Sequence, residues 1–252
     1  MLDTTKGWFS LDNAANLYPA IHSERLPMVF RISAILKQRV HAGLLQQALD
    51  AVLPRFPYYQ VRLRAGFFWY YLEENPARPL VRAEGASPCE TLPDEDGNGY
   101  LFRVQAYKSR VSVEFSHIIT DGTGGLIFFK TLLATYLERR GFPVGDWGEL
   151  FNPADDPDPE EFEDAYSRYH TKPVPNPGRL NNAFTLPYPL RQRYRYTYLT
   201  GECSSSAVYA LAKQHDVSVT EYLAGVYLFI LQGIYHDMPR SAIRRAKPTL
   251  RM

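Results

Sequence analysis

Between residues 28 and 53 the spacing of apolar side chains changes from every second residue to every third or fourth, and that switch constrains the fold more than any other feature. Met28, Phe30, Ile32, Ala34 and Leu36 alternate with polar neighbours, which predicts a half-buried strand over residues 28–37. Leu44, Leu45, Ala48, Leu49 and Val52 then form the stripe of an amphipathic helix that stops before Pro54. Residues 58–63 and 67–72, parted by Arg64-Ala65-Gly66, predict a hairpin, and residues 100–107 and 110–116, parted by Lys108-Ser109, predict a second. After Gly122 the helical period returns, with Leu126, Phe129, Leu132, Leu133, Tyr136 and Leu137 on one face until Gly141. Strands and covering helices in this order place the chain in the α/β class.

The acidic stretch that follows differs in kind. Prolines 143, 153, 157, 159, 173, 175 and 177 punctuate a run that contains Asp155, Asp156, Asp158, Glu160, Glu161, Glu163 and Asp164. Proline stiffens such a segment and like charges extend it, so residues 143–190 read as a crossover linker or a surface loop. Beyond it, residues 194–200 predict a strand, 204–215 a helix capped by Ser204 or Ser205, and 219–235 a more apolar helix. Lys247-Pro248-Thr249-Leu250-Arg251 reads as the start of another strand.

Charge and cysteine content narrow the function classes. With 28 Lys+Arg against 27 Asp+Glu, the chain lacks the positive footprint that neutralises phosphates, which argues against nucleic acid as a partner. Cys89 and Cys203 stand far apart with no ligand cluster beside them, so neither a disulfide framework nor a zinc site is expected. The opening residues lack a signal-peptide pattern and the longest apolar run is too short for a membrane span, which together predict a cytoplasmic chain.

The segment with chemical content is Ser116-His117-Ile118-Ile119-Thr120-Asp121-Gly122. With 6 histidines in the chain, His-x-x-x-Asp-Gly arises by chance only ~0.02 times. Val111, Val113, Phe115 and His117 alternate onto one strand face, so the imidazole points with the apolar side chains into an enclosed space. A neutral imidazole, with an unperturbed pKa of about 6.5, can accept a proton from a hydroxyl or amine. Asp121 suits a structural anchor of the turn, through an arginine and backbone hydrogen bonds. Gly122 permits positive φ or close backbone approach, and Thr123 and Gly124 leave room at the helix start for an extended ligand. His117 and Asp121 supply too few ligands for a metal. Ser116 lacks the nucleophile elbow of a triad serine and faces away from His117.

These residues resemble the CoA-dependent acyltransferases of the chloramphenicol acetyltransferase-like fold, whose mark is His-x-x-x-Asp-Gly. Alcohol acetyltransferases and condensation domains of peptide synthetases belong to the same superfamily. Condensation domains usually show two adjacent histidines, whereas here Ser116 precedes His117; the chain is more similar to the CoA-using, alcohol acetyltransferase-like members, as is Arg55-Phe56-Pro57 after the first helix. The resemblance implies an α+β two-layer sandwich. Residues 1–142 would form the lobe carrying the motif, 143–190 the crossover, and 191–252 the beginning of a second, similar lobe, truncated before the Asp-Phe-Gly-Trp-Gly-like segment of two-lobed members. It further implies acyl-CoA as co-substrate with no tightly bound cofactor, an alcohol or amine acceptor, and a missing C-terminal lobe as partner. His117 would be the general base, Asp121 the anchor paired with Arg55, Arg31 or Arg62, and Gly122, Thr123 and Gly124 would lie at the donor. A non-catalytic module, or a condensation domain fed by a carrier protein, is the alternative.

Overall fold

In the computed structural model the apolar periods become one sheet with helices against one of its faces. Residues 7–23, 27–85, 87–92, 98–171, 186 and 201–239 are described. They divide into two units, residues 1–172 and residues 173–252. The first holds β1 (Trp8–Ser10), α1 (Leu17–Ile21), β2 (Val29–Ile35), α2 (Ala42–Val52), β3 (Val61–Ala65), β4 (Tyr70–Glu74), β5 (Arg82–Ala83), β6 (Phe102–Tyr107), β7 (Arg110–Ser116), α3 (Gly122–Arg139) and α4 (Ala165–Tyr169). The second holds α5 (Ser205–Gln214) and α6 (Val219–Asp237). The main sheet runs β2-β7-β6-β5 and a smaller one β1-β4-β3. This is the mixed α/β, helix-on-sheet class that the patterning predicts.

Register explains why the main sheet has two unlike faces. Phe30, Phe115 and Phe102 stand side by side across β2, β7 and β6, followed by Ile32, Val113 and Val104, then Ala34, Val111 and Ala106. These rows pack against Leu45, Leu49 and Val52 of α2 and Phe128, Phe129 and Leu132 of α3 in one core. Aromatic rings dominate it, with Phe115 edge-on to Phe128 at 5.7 Å.

The rows between are polar, and they are buried too. Ser112, Glu114 and Ser116 are no more than 1% exposed. Glu114 lies directly between Arg31 on β2 and Arg103 on β6. Its Oε1 accepts from Arg31 Nε at 2.7 Å and from the Cys89 amide at 2.6 Å, and its Oε2 accepts from Arg103 Nε at 2.5 Å. Arg31 also pairs with Glu84, which accepts from Arg110 Nε at 2.9 Å. A carboxylate removed from water is tolerated only when paired and hydrogen-bonded, and Glu114 has both forms of compensation.

Differences from the sequence expectations have local causes. The first hairpin starts later than predicted, because Pro57–Tyr59 forms a 3₁₀ turn before β3. Its two strands are joined by Gly66 to Trp69, where the Gly66 amide donates to the Trp69 carbonyl at 2.6 Å. The acidic, proline-rich stretch is assigned to the first unit up to residue 172. Phe151 packs on the core, and Asp158 and Glu161 form a capping box around the 3₁₀ turn Pro159–Phe162. In the second unit Ser204 caps α5 and Ser218, with Glu221, caps α6. The strands expected at 194–200 and after residue 240 lie outside the described residues. Among the described residues no single helix is long and apolar enough to cross a membrane.

Truncating Glu114 to Ala removes the buried carboxylate that Arg31 and Arg103 share, for an expected loss of about 3–5 kcal/mol in urea unfolding. Truncating Glu73, whose partners Arg62 and Arg64 are 34% and 46% exposed, costs far less, because water screens an exposed pair. Equal losses would contradict this reading of the polar layer.

Candidate functional site

The motif occupies the turn that carries the chain from β7 to α3, and backbone bonds fix both of its ends. The Ser116 amide donates to Leu101 O at 2.8 Å and the His117 amide to Met28 O at 3.0 Å, so His117 leaves the sheet still tied to its neighbours. The Ile118 amide donates to Ser116 Oγ at 3.3 Å. At the far end Asp121 is the N-cap of α3: its Oδ1 accepts from the Gly124 amide at 2.9 Å and its carbonyl from the Gly125 amide at 3.0 Å. A carboxylate at a helix start satisfies an otherwise orphan donor and meets the positive end of the helix dipole.

Among the described residues the bonds that hold the Asp121 side chain run to the backbone and none runs to an arginine. Among the described residues Asp121 makes no ion pair, and each arginine expected beside it pairs elsewhere: Arg55 with Glu161, Arg31 with Glu84 and Glu114, Arg62 with Glu73. Arg55 grips Glu161 through two bonds, 2.9 and 2.7 Å, with its guanidinium 4.1 Å from the Phe151 ring centroid. Tyr59 takes the place expected for an arginine. Its side chain is buried, and its hydroxyl donates to Thr120 Oγ1 at 2.9 Å in the middle of the turn. Burial holds the phenol well above its ordinary range despite the Thr120 bond, so the hydroxyl stays a donor.

His117 sits where the alternation placed it, next to Phe30. Its ring lies between two aromatic rings, Phe30 at 4.6 Å and Tyr18 of α1 at 5.2 Å, the latter nearly parallel at 18°. Nδ1 is enclosed and has no hydrogen-bond partner among the described residues. Such an orphan costs about 1–3 kcal/mol. Nε2 is not among the enclosed, unpartnered atoms. No hydrogen bond joins His117 to Asp121 among the described residues. Tyr18 gave no sequence signal, since it comes from a helix of only five residues.

The small residues at the helix start differ in their surroundings. Gly122 is not in the left-handed region, and a Cβ there would meet nothing within 4 Å. Gly122 and Thr123 are exposed. Close approach belongs to Gly124, where a Cβ would come within 2.5 Å of Thr120 Oγ1, and to Gly125, within 3.1 Å of the Phe30 ring. The glycines let α3 settle onto the turn and onto Phe30, the ring that supports His117.

A cavity of about 710 Å³ adjoins the turn, lined among others by Phe9, Leu11, Val61, Leu72, Ile118 and Ile119 and rimmed by Glu161 and Arg168. His117 itself is not among its lining residues. Burial opposes the charge on Glu161, but Arg55, the Asp158 amide and Tyr58 together hold its carboxyl below the usual value of 4.5.

No protein-family model matches the chain, and no curated protein does. Among solved structures it is similar to an arginine-to-alanine variant of the starter condensation domain of rhizomide synthetase RzmA in complex with C8-CoA, at 12% identity and TM-score 0.44, over 57% of this chain and 38% of that one. It is also similar to SgcC5 from Streptomyces globisporus, at 17% identity and TM-score 0.41, over 54% of this chain and 38% of that one. The X-domain from teicoplanin biosynthesis matches at 18% identity and TM-score 0.45, over 59% of this chain and 34% of that one. The chain spans less than two fifths of each of these structures.

Gly124→Ala pushes Thr120 off Tyr59 and lowers stability by about 1–3 kcal/mol, whereas Gly122→Ala is neutral or up to about 1 kcal/mol stabilising. Thermal melts of the two variants check the difference, and equal behaviour would contradict the packing described. The depressed Glu161 carboxyl makes its contribution above the ordinary glutamate pKa and loses it as pH falls through the lower folded value. Limited proteolysis within residues 155–170 should therefore increase in acid for the native chain. Glu161→Gln should show the same susceptibility already at neutral pH.

Proposed function

We propose that this chain carries the histidine-bearing lobe of an acyltransferase that moves an acyl group, acetyl before others, from acyl-CoA to a hydroxyl or amine acceptor. The observation that carries the reading is the asymmetry of His117. It leaves the end of β7 within His-x-x-x-Asp-Gly, its ring is clamped between Tyr18 and Phe30, and Nδ1 is enclosed. Nε2 is then the nitrogen available to a substrate.

In this reading Nε2 takes the proton of the acceptor as its oxygen or nitrogen attacks the thioester carbonyl. The tetrahedral oxyanion collapses with cleavage of the carbon–sulfur bond, and the leaving thiolate takes the proton back from the imidazolium. Histidine leaves the cycle neutral, and no bond between enzyme and acyl group forms. Asp121 holds the start of α3 in place beside the base. Gly122 and Thr123, exposed at that helix start, border the side from which the donor approaches, with Gly124 beneath them. A second lobe would complete the donor site.

One observation favours the second reading, a non-catalytic or carrier-protein-dependent module: His117 does not line the adjoining cavity. Acetyl transfer from acetyl-CoA, and from acetyl carrier protein, to a panel of alcohols and amines decides between them. The enzyme reading expects His117→Ala to lower the CoA-dependent rate by ~10²–10⁴ while CoA binding persists. Transfer from the carrier protein alone, or a rate that His117→Ala leaves unchanged, would overturn it.

A further inference from the structure

The turn of the first hairpin is a run of aromatic residues that none of the described residues folds over. Phe67 is 88% exposed, Phe68 84%, Trp69 60% and Tyr70 43%. Burying one such side chain is worth about 1.5–3 kcal/mol, so leaving four together in water is a standing cost unless something covers them. Phe67 and Phe68 meet edge to face at 4.5 Å and brace one another. The hairpin itself is held by its ladder and by the Gly66 to Trp69 hydrogen bond, so the rings are presented on a fixed backbone.

The order of side chains along this hairpin says what covers it. The two purely apolar rings are the most exposed, and the two that also carry a polar group, the Trp69 indole N–H and the Tyr70 hydroxyl, come behind them. Next along the hairpin stand Arg64, opposite Tyr71, and Arg62, opposite Glu73. Both arginines bond Glu73, at 2.9 and 2.6 Å, and with Glu74 beside it the strand pair is charge-balanced, so the guanidinium groups offer hydrogen-bond donors and no net charge behind the aromatic residues. Apolar rings first, amphipathic rings second and guanidinium donors third is the sequence of layers met on entering a phospholipid surface: acyl chains, interface, phosphates. A protruding turn also suits a deformable surface better than the concave site of a protein partner would.

We infer that the hairpin tip, Phe67 to Tyr70, inserts into the interfacial layer of a phospholipid membrane, with Arg62 and Arg64 at the level of the phosphates. This binding is peripheral and stands apart from the acyl-transfer reading, so either can fail without the other.

Co-sedimentation of the 252-residue chain with phosphatidylcholine vesicles, and with vesicles that also contain phosphatidylglycerol, tests it. Binding is expected to both, with little dependence on phosphatidylglycerol or salt, because the aromatic rings and not a net charge carry it. Phe67→Ser combined with Phe68→Ser should lower partition at least about tenfold. Circular dichroism of this variant should stay native, because both rings lie outside the core; Phe67→Ser alone provides the same test with a smaller effect. Vesicles should shift tryptophan fluorescence to the blue in the native chain, and Trp69→Phe should remove that shift where Trp8→Phe and Trp147→Phe do not. Absence of binding to either vesicle, or equal binding by the double variant, would overturn the inference. So would a dimer in lipid-free buffer that the double variant abolishes, since the tip would then be covered by a second copy.

Discussion

The hydrogen bond from Tyr59 to Thr120 is the interaction on which the geometry of the site depends. It ties the segment after α2 to the turn between β7 and α3, two stretches of chain that have no backbone pairing with each other. Asp121 then starts α3 at a set point, and Gly125 lets that helix close onto Phe30 and Phe115. Phe30 in turn supports the ring of His117. Each link is an ordinary contact worth about 1 kcal/mol or so. Their effect is to hold one imidazole in one orientation, which preorganisation for proton transfer requires.

Under this arrangement lies the ionic row Arg31–Glu114–Arg103, which gives the sheet a buried polar face opposite its aromatic one. The two faces serve different ends. Aromatic rows bury area and supply the bulk of the folding free energy, while the charged row can be satisfied in only one register of β2, β7 and β6. A slip by one residue would bring Arg31 and Arg103 among the phenylalanines. The register that seats Phe30 beside Phe115 thus also places Phe30 against His117.

Much of this architecture was legible in the sequence because its signals are periodic. The alternation in β2 and β7, the stripe of α2 and the serine cap of α5 follow directly from side-chain spacing, whereas the stripe expected for α3 took in Leu126 and Leu137, which are exposed, and missed Phe128 in the core. What stayed hidden depends on contacts between distant residues. Spacing cannot show that Arg55 meets Glu161 rather than Asp121, since the two carboxylates lie on the same side of it along the chain and only tertiary packing chooses. Nor can it show that a phenol pins the turn, or that a short helix brings Tyr18 to the imidazole. β1 and β5, at three and two residues, are too short for a period to register. In the acidic stretch, spacing likewise could not show that Glu161 meets Arg55 or that Asp158 caps a 3₁₀ turn.

Acyl transfer as proposed requires that the enclosed ring nitrogen of His117 be the protonated one, leaving Nε2 as the proton acceptor. Long-range proton–nitrogen NMR spectra of the chain labelled with ¹⁵N-histidine, recorded above the imidazole pKa and assigned with His117→Gln, measure this directly. The account predicts the Nδ1–H tautomer with an unprotonated Nε2. A dominant Nε2–H tautomer would place the lone pair on the enclosed nitrogen, where no acceptor can reach it, and would contradict His117 as a base.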